Sequence, residues 1–285
     1  MTGNTGRLLR VIAAAVLGFA VCAAAPVQDA DQKTITLVHL TDVHMRPGFN
    51  APERFRLALR DVRSRKPALI INTGDTLDGS ADAEVKWASW QAAVAAEISD
   101  IPLFNLLGNH DIDAPLTREI ACARLGMPAR YYRFDHFGWR FLMLDGNGFA
   151  ADKEQWDWLV RELQEAPAGM PIAVASHHPI FSMGATIHSP GDQIGRWKEL
   201  VALFATHPNV KLCLGGHSHL ADVTRYNGVT YTTGGSVSGY WWELEKSSDG
   251  KGSYQQTPPG YNVIRLAPSG VVSVDYVRYP DPATR

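Results

Sequence analysis

The stretch Val210-Lys211-Leu212-Cys213-Leu214-Gly215-Gly216-His217-Ser218-His219 sets the reading of this chain. Its first five residues are nearly all apolar and too few for a helix, so they predict a buried strand. The strand then breaks into two glycines and a pair of histidines at i and i+2. On its own such a pair has an ordinary explanation, two loop histidines with no shared task. What stands at the ends of the other apolar runs decides between the two readings.

Five further runs have the same character, at residues 35–40, 68–73, 102–107, 141–144 and 172–176. Each is short, nearly continuously apolar and often β-branched, the pattern of strands buried on both faces. Between them lie stretches with helical spacing of apolar residues, at 52–62, 83–98, 154–163 and 193–204. Alternation of strand and helix predicts an α/β fold. The C-terminal part differs. Residues 223–232 read as a hairpin turning at Asn227-Gly228, and residues 261–276 as a second across Pro268-Ser269-Gly270. Residues 245–260 are polar and rich in Gly, Ser and Pro, and predict a long loop.

Five of these six predicted strands are followed by a cluster of Asp, Asn or His. In order these are Asp42-Val43-His44, Gly74-Asp75-Thr76-Leu77-Asp78, Gly108-Asn109-His110-Asp111, His177-His178-Pro179 and Gly216-His217-Ser218-His219. The carboxyl ends of strands are where α/β sheets bind ligands. Any one cluster is uninformative, since Gly-Asn-His-Asp also reads as a capped turn. Together they supply seven candidate metal ligands: Asp42, His44, Asp75, Asn109, His177, His217 and His219. That number is too large for one ion with an open position, and it suits two ions sharing a carboxylate. Carboxylate, amide and imidazole donors suit Mn, Fe or Zn, and no thiolate joins them to favour a structural zinc site.

The ordered series DxH, GDxxD, GNHD, H and GHxH resembles the signature of the calcineurin-like metallophosphoesterases, over residues 35–238. The resemblance implies a four-layer α/β/β/α sandwich of two mixed β-sheets flanked by helices, with a dinuclear site at the strand C-terminal ends. It implies Asp42, His44, Asp75 and His219 on one ion, and Asp75, Asn109, His177 and His217 on the other, with Asp75 bridging. His177 rather than His178 takes the ligand place because the family's ligand lies two residues before a proline, here Pro179. His110 is implied to face the substrate and protonate the leaving oxygen or stabilise phosphoryl charge. Asp111 is expected to orient the His110 ring, or else to cap a helix. Asp78 is expected to hold His44 or a loop, or to be a turn residue. The implied nucleophile is a hydroxide between the ions, which needs no Ser or Cys.

Purple acid phosphatases place a tyrosine ligand where this chain has Asp78, so a tyrosinate–iron site is not expected. The segment Leu144-Asp145-Gly146 with Gln155-Trp156-Asp157-Trp158-Leu159 resembles the branch of cyclic-nucleotide and glycerophosphodiester phosphodiesterases. Trp241, in Tyr240-Trp241-Trp242, either walls the pocket or packs in the core. His188 is expected on a loop near the site, and His178 either packs or contacts substrate. The expectation is a phosphodiesterase acting on small phosphoesters. The alternatives are a phosphomonoesterase or protein phosphatase on the same site and, from another class, a non-catalytic metal-binding scaffold, which a complete ligand set argues against.

Residues 1–25 combine Arg7 and Arg10 with an uncharged apolar run ending in Ala23-Ala24-Ala25. This is the pattern of a signal peptide, and the run is shorter than the roughly 20 residues a spanning helix needs. The expectation is therefore an exported protein, periplasmic or secreted, with one domain at 33–280 and no stable membrane span. Cys22 hints only weakly at lipidation. The 27 basic and 29 acidic side chains form no basic field for long nucleic acid. Cys122 and Cys213 read as buried free thiols, although they could pair. No heptad run marks an oligomer.

Overall fold

The computed structural model describes residues 34–184, 191–239 and 257–280. The expected signal peptide, His188, Trp241 and most of the 245–260 loop lie outside these residues. The elements in order are β1 (Ile35–Leu40), α1 (Ala51–Ser64), β2 (Leu69–Asn72), α2 (Ala83–Glu97), β3 (Leu103–Asn105), α3 (Arg118–Leu125), β4 (Tyr132–His136), β5 (Trp139–Met143), α4 (Lys153–Gln164), β6 (Ile172–Ala175), α5 (Trp197–Ala205), β7 (Val210–Gly215), β8 (Asp222–Tyr226), β9 (Val229–Thr233), β10 (Tyr261–Ala267) and β11 (Gly270–Val277).

The strands form two mixed sheets. One has five strands in the order β11-β10-β1-β2-β3, the other six in the order β4-β5-β6-β7-β9-β8. β1, β2 and β3 run parallel, as do β5, β6, β7 and β9; the hairpin partners add antiparallel strands. The continuous apolar runs follow from this arrangement, because side chains alternate between two buried interfaces. On β2, Leu69 and Ile71 face the other sheet while Ile70 faces α1 and α2. On β6, Ala173 and Ala175 face the first sheet while Ile172 and Val174 face α4 and α5. Three packed interfaces thus separate four layers, helices–sheet–sheet–helices, and the fold class is the one the sequence series implied.

Helix α1 shows how the outer layers hold. Phe55, Ala58, Leu59 and Val62 recur at helical spacing and are all buried. Burying a side chain of Leu or Phe size contributes about 2 kcal/mol. Two elements have no counterpart in the sequence reading, α3 and β4. β4 is an edge strand that pairs with β5 across Phe137-Gly138, and its residues alternate between half-buried and exposed, so it lacks an apolar run. The expected helix at 193–204 begins only at Trp197, because Arg196 takes a left-handed φ of 61°. Cys122 and Cys213 are free thiols.

Candidate metal centre

The loops after β1, β2, β3, β6 and β7 meet at one edge of the sandwich and bring all seven predicted ligands together. Among the described residues two groups have ligand atoms within 4.8 Å of one another: Asp42, His44 and His219, and Asp75, His177 and His217. Asp75 Oδ2 joins them, 3.2 Å from His177 Nε2 and 3.8 Å from His44 Nε2. Asn109 Oδ1 lies 3.2 Å from His177 Nε2. Asp42 Oδ1 lies 3.3 Å from His219 Nε2.

The backbone at this edge is unusual. Asp42, His44, Asp75, His217 and His219 have φ of 52°, 45°, 51°, 66° and 54°. Left-handed backbone costs a non-glycine residue about 1 kcal/mol or more. Tertiary bonds hold it there. Asp42 and His44 donate their backbone N–H to the carbonyls of Gly74 and Asp75, each at 2.9 Å, which locks the first loop against the second. His217 N–H donates to both Asp42 oxygens at 3.0 and 3.2 Å, and Thr41 Oγ1 donates to Asp42 Oδ2 at 2.7 Å. The glycines serve this closeness. A Cβ at Gly216 would overlap Thr41 Oγ1 and Asp42 Oδ2, and one at Gly108 would overlap the Asp75 backbone and carboxylate. What these glycines admit is therefore a neighbouring ligand residue.

Two carbonyls set the imidazole tautomers. His44 Nδ1 donates to Leu77 O at 3.1 Å, and His177 Nδ1 donates to Thr73 O at 2.9 Å. A carbonyl only accepts, so each Nδ1 carries the proton and each Nε2 presents its lone pair to the centre. There His44 Nε2 meets His219 Nε2 at 3.2 Å, and His177 Nε2 meets the oxygens of Asp75 and Asn109. Lone pairs that converge at such distances need a cation between them. In the metal-free protein the surroundings act oppositely on the two imidazoles: burial pushes His44 down, whereas His177 is favoured in its protonated form. Burial alone would push His177 down, but the Asp75 carboxylate at its Nε2 brings it up to about 9. Burial pushes Asp75 up, and His177 and His44 outweigh it to hold the carboxyl at about 2. Asp42 is likewise held well below the carboxylate range by His219, His44 and His177 against its burial. Buried anionic oxygens and oriented imidazoles fit two ions of the Mn, Fe or Zn type.

The supporting residues differ in part from the reading of the sequence. Asp111 does not orient His110. Its Oδ1 accepts Leu77 N–H and its Oδ2 accepts Gly108 N–H, both at 2.9 Å, so it ties two ligand loops together. Burial and the nearby Asp75 push this carboxyl up to about 7. It is Asp113 whose Oδ2 stands 3.4 Å from His110 Nδ1. His110 itself stands beside the first triad, edge-on to His44 with ring centroids 5.4 Å apart. Asp78 holds a loop and not His44: it pairs with Lys86 at 2.5 Å and with Arg46 at 3.6 Å. His178 lies against His217 with ring centroids 4.4 Å apart. Asp192, missed in the sequence, has Oδ1 4.0 Å from His217 Nε2. Thr41 was also missed, although its place next to Asp42 was a signal.

Comparison with known proteins agrees with this geometry. The calcineurin-like phosphoesterase family profile matches residues 35–221. The chain belongs to that family. It is a dinuclear metal-dependent hydrolase of phosphoesters. A 3',5'-cyclic-nucleotide phosphodiesterase of Nostoc sp. is 24% identical over 86% of this chain and 93% of its own length. The 3',5'-cyclic adenosine monophosphate phosphodiesterase CpdA of Escherichia coli K12 is 26% identical over 70% of this chain and 74% of its own. The probable glycerophosphodiester phosphodiesterase GpdQ of Arcobacter nitrofigilis is 26% identical over 68% and 71%. A solved dimetal phosphatase from Danio rerio shares the fold, with a TM-score of 0.61 over 86% of this chain and 99% of that one, at 14% identity.

Proposed function

We propose that this phosphoesterase is a phosphodiesterase of small substrates that acts outside the cytoplasm with two Mn, Fe or Zn ions. The observation that carries the diester is the charge around the two triads. Beside the ligands stand two carboxylates, Asp113 at His110 and Asp192 at His217. Negative charge beside the triads suits the single charge of a diester better than the double charge of a monoester. The relatives bearing phosphodiesterase names support the same reading. Export is supported by the basic and apolar pattern of residues 1–25. Among the described residues no helix is long and apolar enough to cross a membrane.

Asp42, His44, Asp75 and His219 would hold one ion, and Asp75, Asn109, His177 and His217 the other. When bound, the pair supplies the Lewis-acid charge that activates water and neutralises phosphoryl oxygens. The chain's own residues do the rest. Leu77 O and Thr73 O fix the imidazole tautomers. Asp111 keeps the Leu77 and Gly108 loops at constant separation. His110, with Asp113 beside its Nδ1, gives a proton to the leaving oxygen as the phosphorus–oxygen bond breaks.

The test is hydrolysis of bis-p-nitrophenyl phosphate beside p-nitrophenyl phosphate by Mn-reloaded protein, with Asn109→Ala as control. The diester is expected to be preferred and its turnover lost in the control. Preference for the monoester would replace this reading with a phosphomonoesterase.

A further inference from the structure

The two halves of the centre are tied down by different parts of the chain. On the side of the second ion, Asp75 and His177 give their main-chain carbonyls to the N–H groups of His44 and Gly216, at 2.9 and 2.7 Å. Those partners lie in other ligand loops. On the side of the first ion, the carbonyls of Asp42 and His219 are taken by residues from outside the ligand loops. Ser236 Oγ donates to Asp42 O at 2.7 Å, and Thr257 N–H donates to His219 O at 2.9 Å. Both donors lie beyond the residues 35–221 that match the family. Thr257 holds a second point, since its Oγ1 accepts the Ala221 N–H at 2.7 Å. One residue thus fixes the main chain on both sides of Leu220, directly after a ligand with a left-handed φ of 54°.

Thr257 is itself held. Tyr276 on β11 donates its hydroxyl to Pro258 O at 2.6 Å. Gly235, next to Ser236, is packed against both: a Cβ there would stand 2.4 Å from the Tyr276 hydroxyl and 3.1 Å from Thr257 Cβ. β11 pairs with β10, and β10 pairs with β1, the strand that runs into Asp42. The path therefore closes on itself, from Asp42 through β1, β10, β11, Tyr276 and Thr257 to His219. It ends on the two side chains whose ligand atoms are 3.3 Å apart. Groups that hold metal ligands set affinity by fixing where the ligands stand, and removing one of them typically costs about 10- to 100-fold.

We propose that Thr257 is a positioning residue for the first ion: by gripping the main chain at His219 and Ala221, it sets the affinity of the Asp42, His44 and His219 side of the centre and leaves the Asn109, His177 and His217 side unchanged. The hydroxyl is the part specific to this residue, because any residue but proline supplies the N–H that His219 O accepts. Without an Oγ, the Ala221 N–H loses its acceptor, and the chain after His219 is held at one point in place of two. Serine keeps that oxygen, and valine keeps the shape of threonine without it. The proposal rests on the assignment of ligands to two ions and not on the choice between diester and monoester.

The test uses the full chain, freed of metal with EDTA and titrated with Co(II), followed by calorimetry and by visible absorption. Two binding steps are expected in the wild type. In Thr257→Val one step is expected to weaken about tenfold, with the other unchanged and the urea midpoint in EDTA close to that of the wild type. Thr257→Ser is expected to recover the lost affinity. Backgrounds that lack one ligand assign the step. Thr257→Val is expected to weaken the ion that remains in Asn109→Ala, and to leave the ion that remains in His219→Ala as it was. Tyr276→Phe, which releases Pro258, is expected to weaken the same step by a smaller factor, and serves if the valine variant does not fold. Equal weakening of both steps, no weakening in either Thr257→Val or Tyr276→Phe, or no recovery in Thr257→Ser would each overturn the proposal. A single step in the wild type would overturn the two-ion assignment itself, a failure seen before any variant is made.

Discussion

The sheet of six strands carries two sharp reversals close together in sequence, and both need left-handed backbone. At the β8–β9 hairpin, Asn227 and Gly228 have φ of 49° and 78°. These are the residue types that adopt such angles most readily, and a two-residue turn of this kind matches the twist of the paired strands. At the end of β7, His217 and His219 have φ of 66° and 54°, with side chains that gain nothing locally from it. The hairpin is held by its own turn chemistry and by the register from Asp222↔Thr233 to Tyr226↔Val229. The histidine loop is held from outside, by Asp42 and by the closeness that Gly216 permits. Strain accepted at one reversal and avoided at the other marks which of them works on a ligand.

The contrast breaks most directly at Gly216. Gly216→Ala is expected to drive Thr41 and Asp42 away from the His217 loop, to lower stability by about 3 kcal/mol and to lose at least one ion. Urea unfolding with metal analysis checks both effects. Full retention of two ions would mean the loop tolerates displacement and is less constrained than the hairpin comparison holds.

A smaller effect follows from the protons that replace the ions. His177 is raised from 6.5 to about 9, so its contribution to the stability of EDTA-treated protein is complete below pH 6.5 and lost as pH rises through 9. Asp75, lowered from 3.8 to about 2, contributes above pH 3.8 and loses its effect only as pH falls through 2. Metal-free protein should therefore weaken between pH 6.5 and 9, and Zn loading at pH 7.5 should release a proton, measurable by calorimetry in buffers of different ionisation enthalpy. Loading without proton release would contradict the lone-pair argument.

The smallest effects form a pair. His217→Asn places a residue that tolerates left-handed backbone in the strained loop, and should raise the stability of metal-free protein by about 0.5 kcal/mol while lowering metal content. Asn227→Ala should lose about 1 kcal/mol and leave metal content and activity unchanged. Unfolding curves in EDTA compare the two directly; the same sign for both would remove the distinction between the reversals.

Much of the molecule was legible in the chain. The apolar runs fixed which segments are strands, because a strand buried on both faces must be apolar throughout. The polar clusters after them named all seven candidate ligands, because carboxylate, amide and imidazole side chains are identifiable by type. β4 and α3 escaped, since an edge strand with half-exposed residues and a helix of eight residues carry little periodic signal. The roles of Asp111 and Asp113 were also hidden. Asp111 serves two backbone N–H groups, one of them 34 residues away, and Asp113 rather than its neighbour meets His110.

The sequence by itself therefore determined the apolar strands, the donor set and the turn at Asn227-Gly228. Only the tertiary structure decided that five ligands sit in left-handed backbone, that Thr73 and Leu77 carbonyls orient His177 and His44, and that Asp111 ties the Leu77 and Gly108 loops together. The physical reason is the same in each case. Side chains differ from residue to residue and can be read one at a time, whereas backbone N–H and C=O groups are alike along the chain, and their partners are set by what packing brings near.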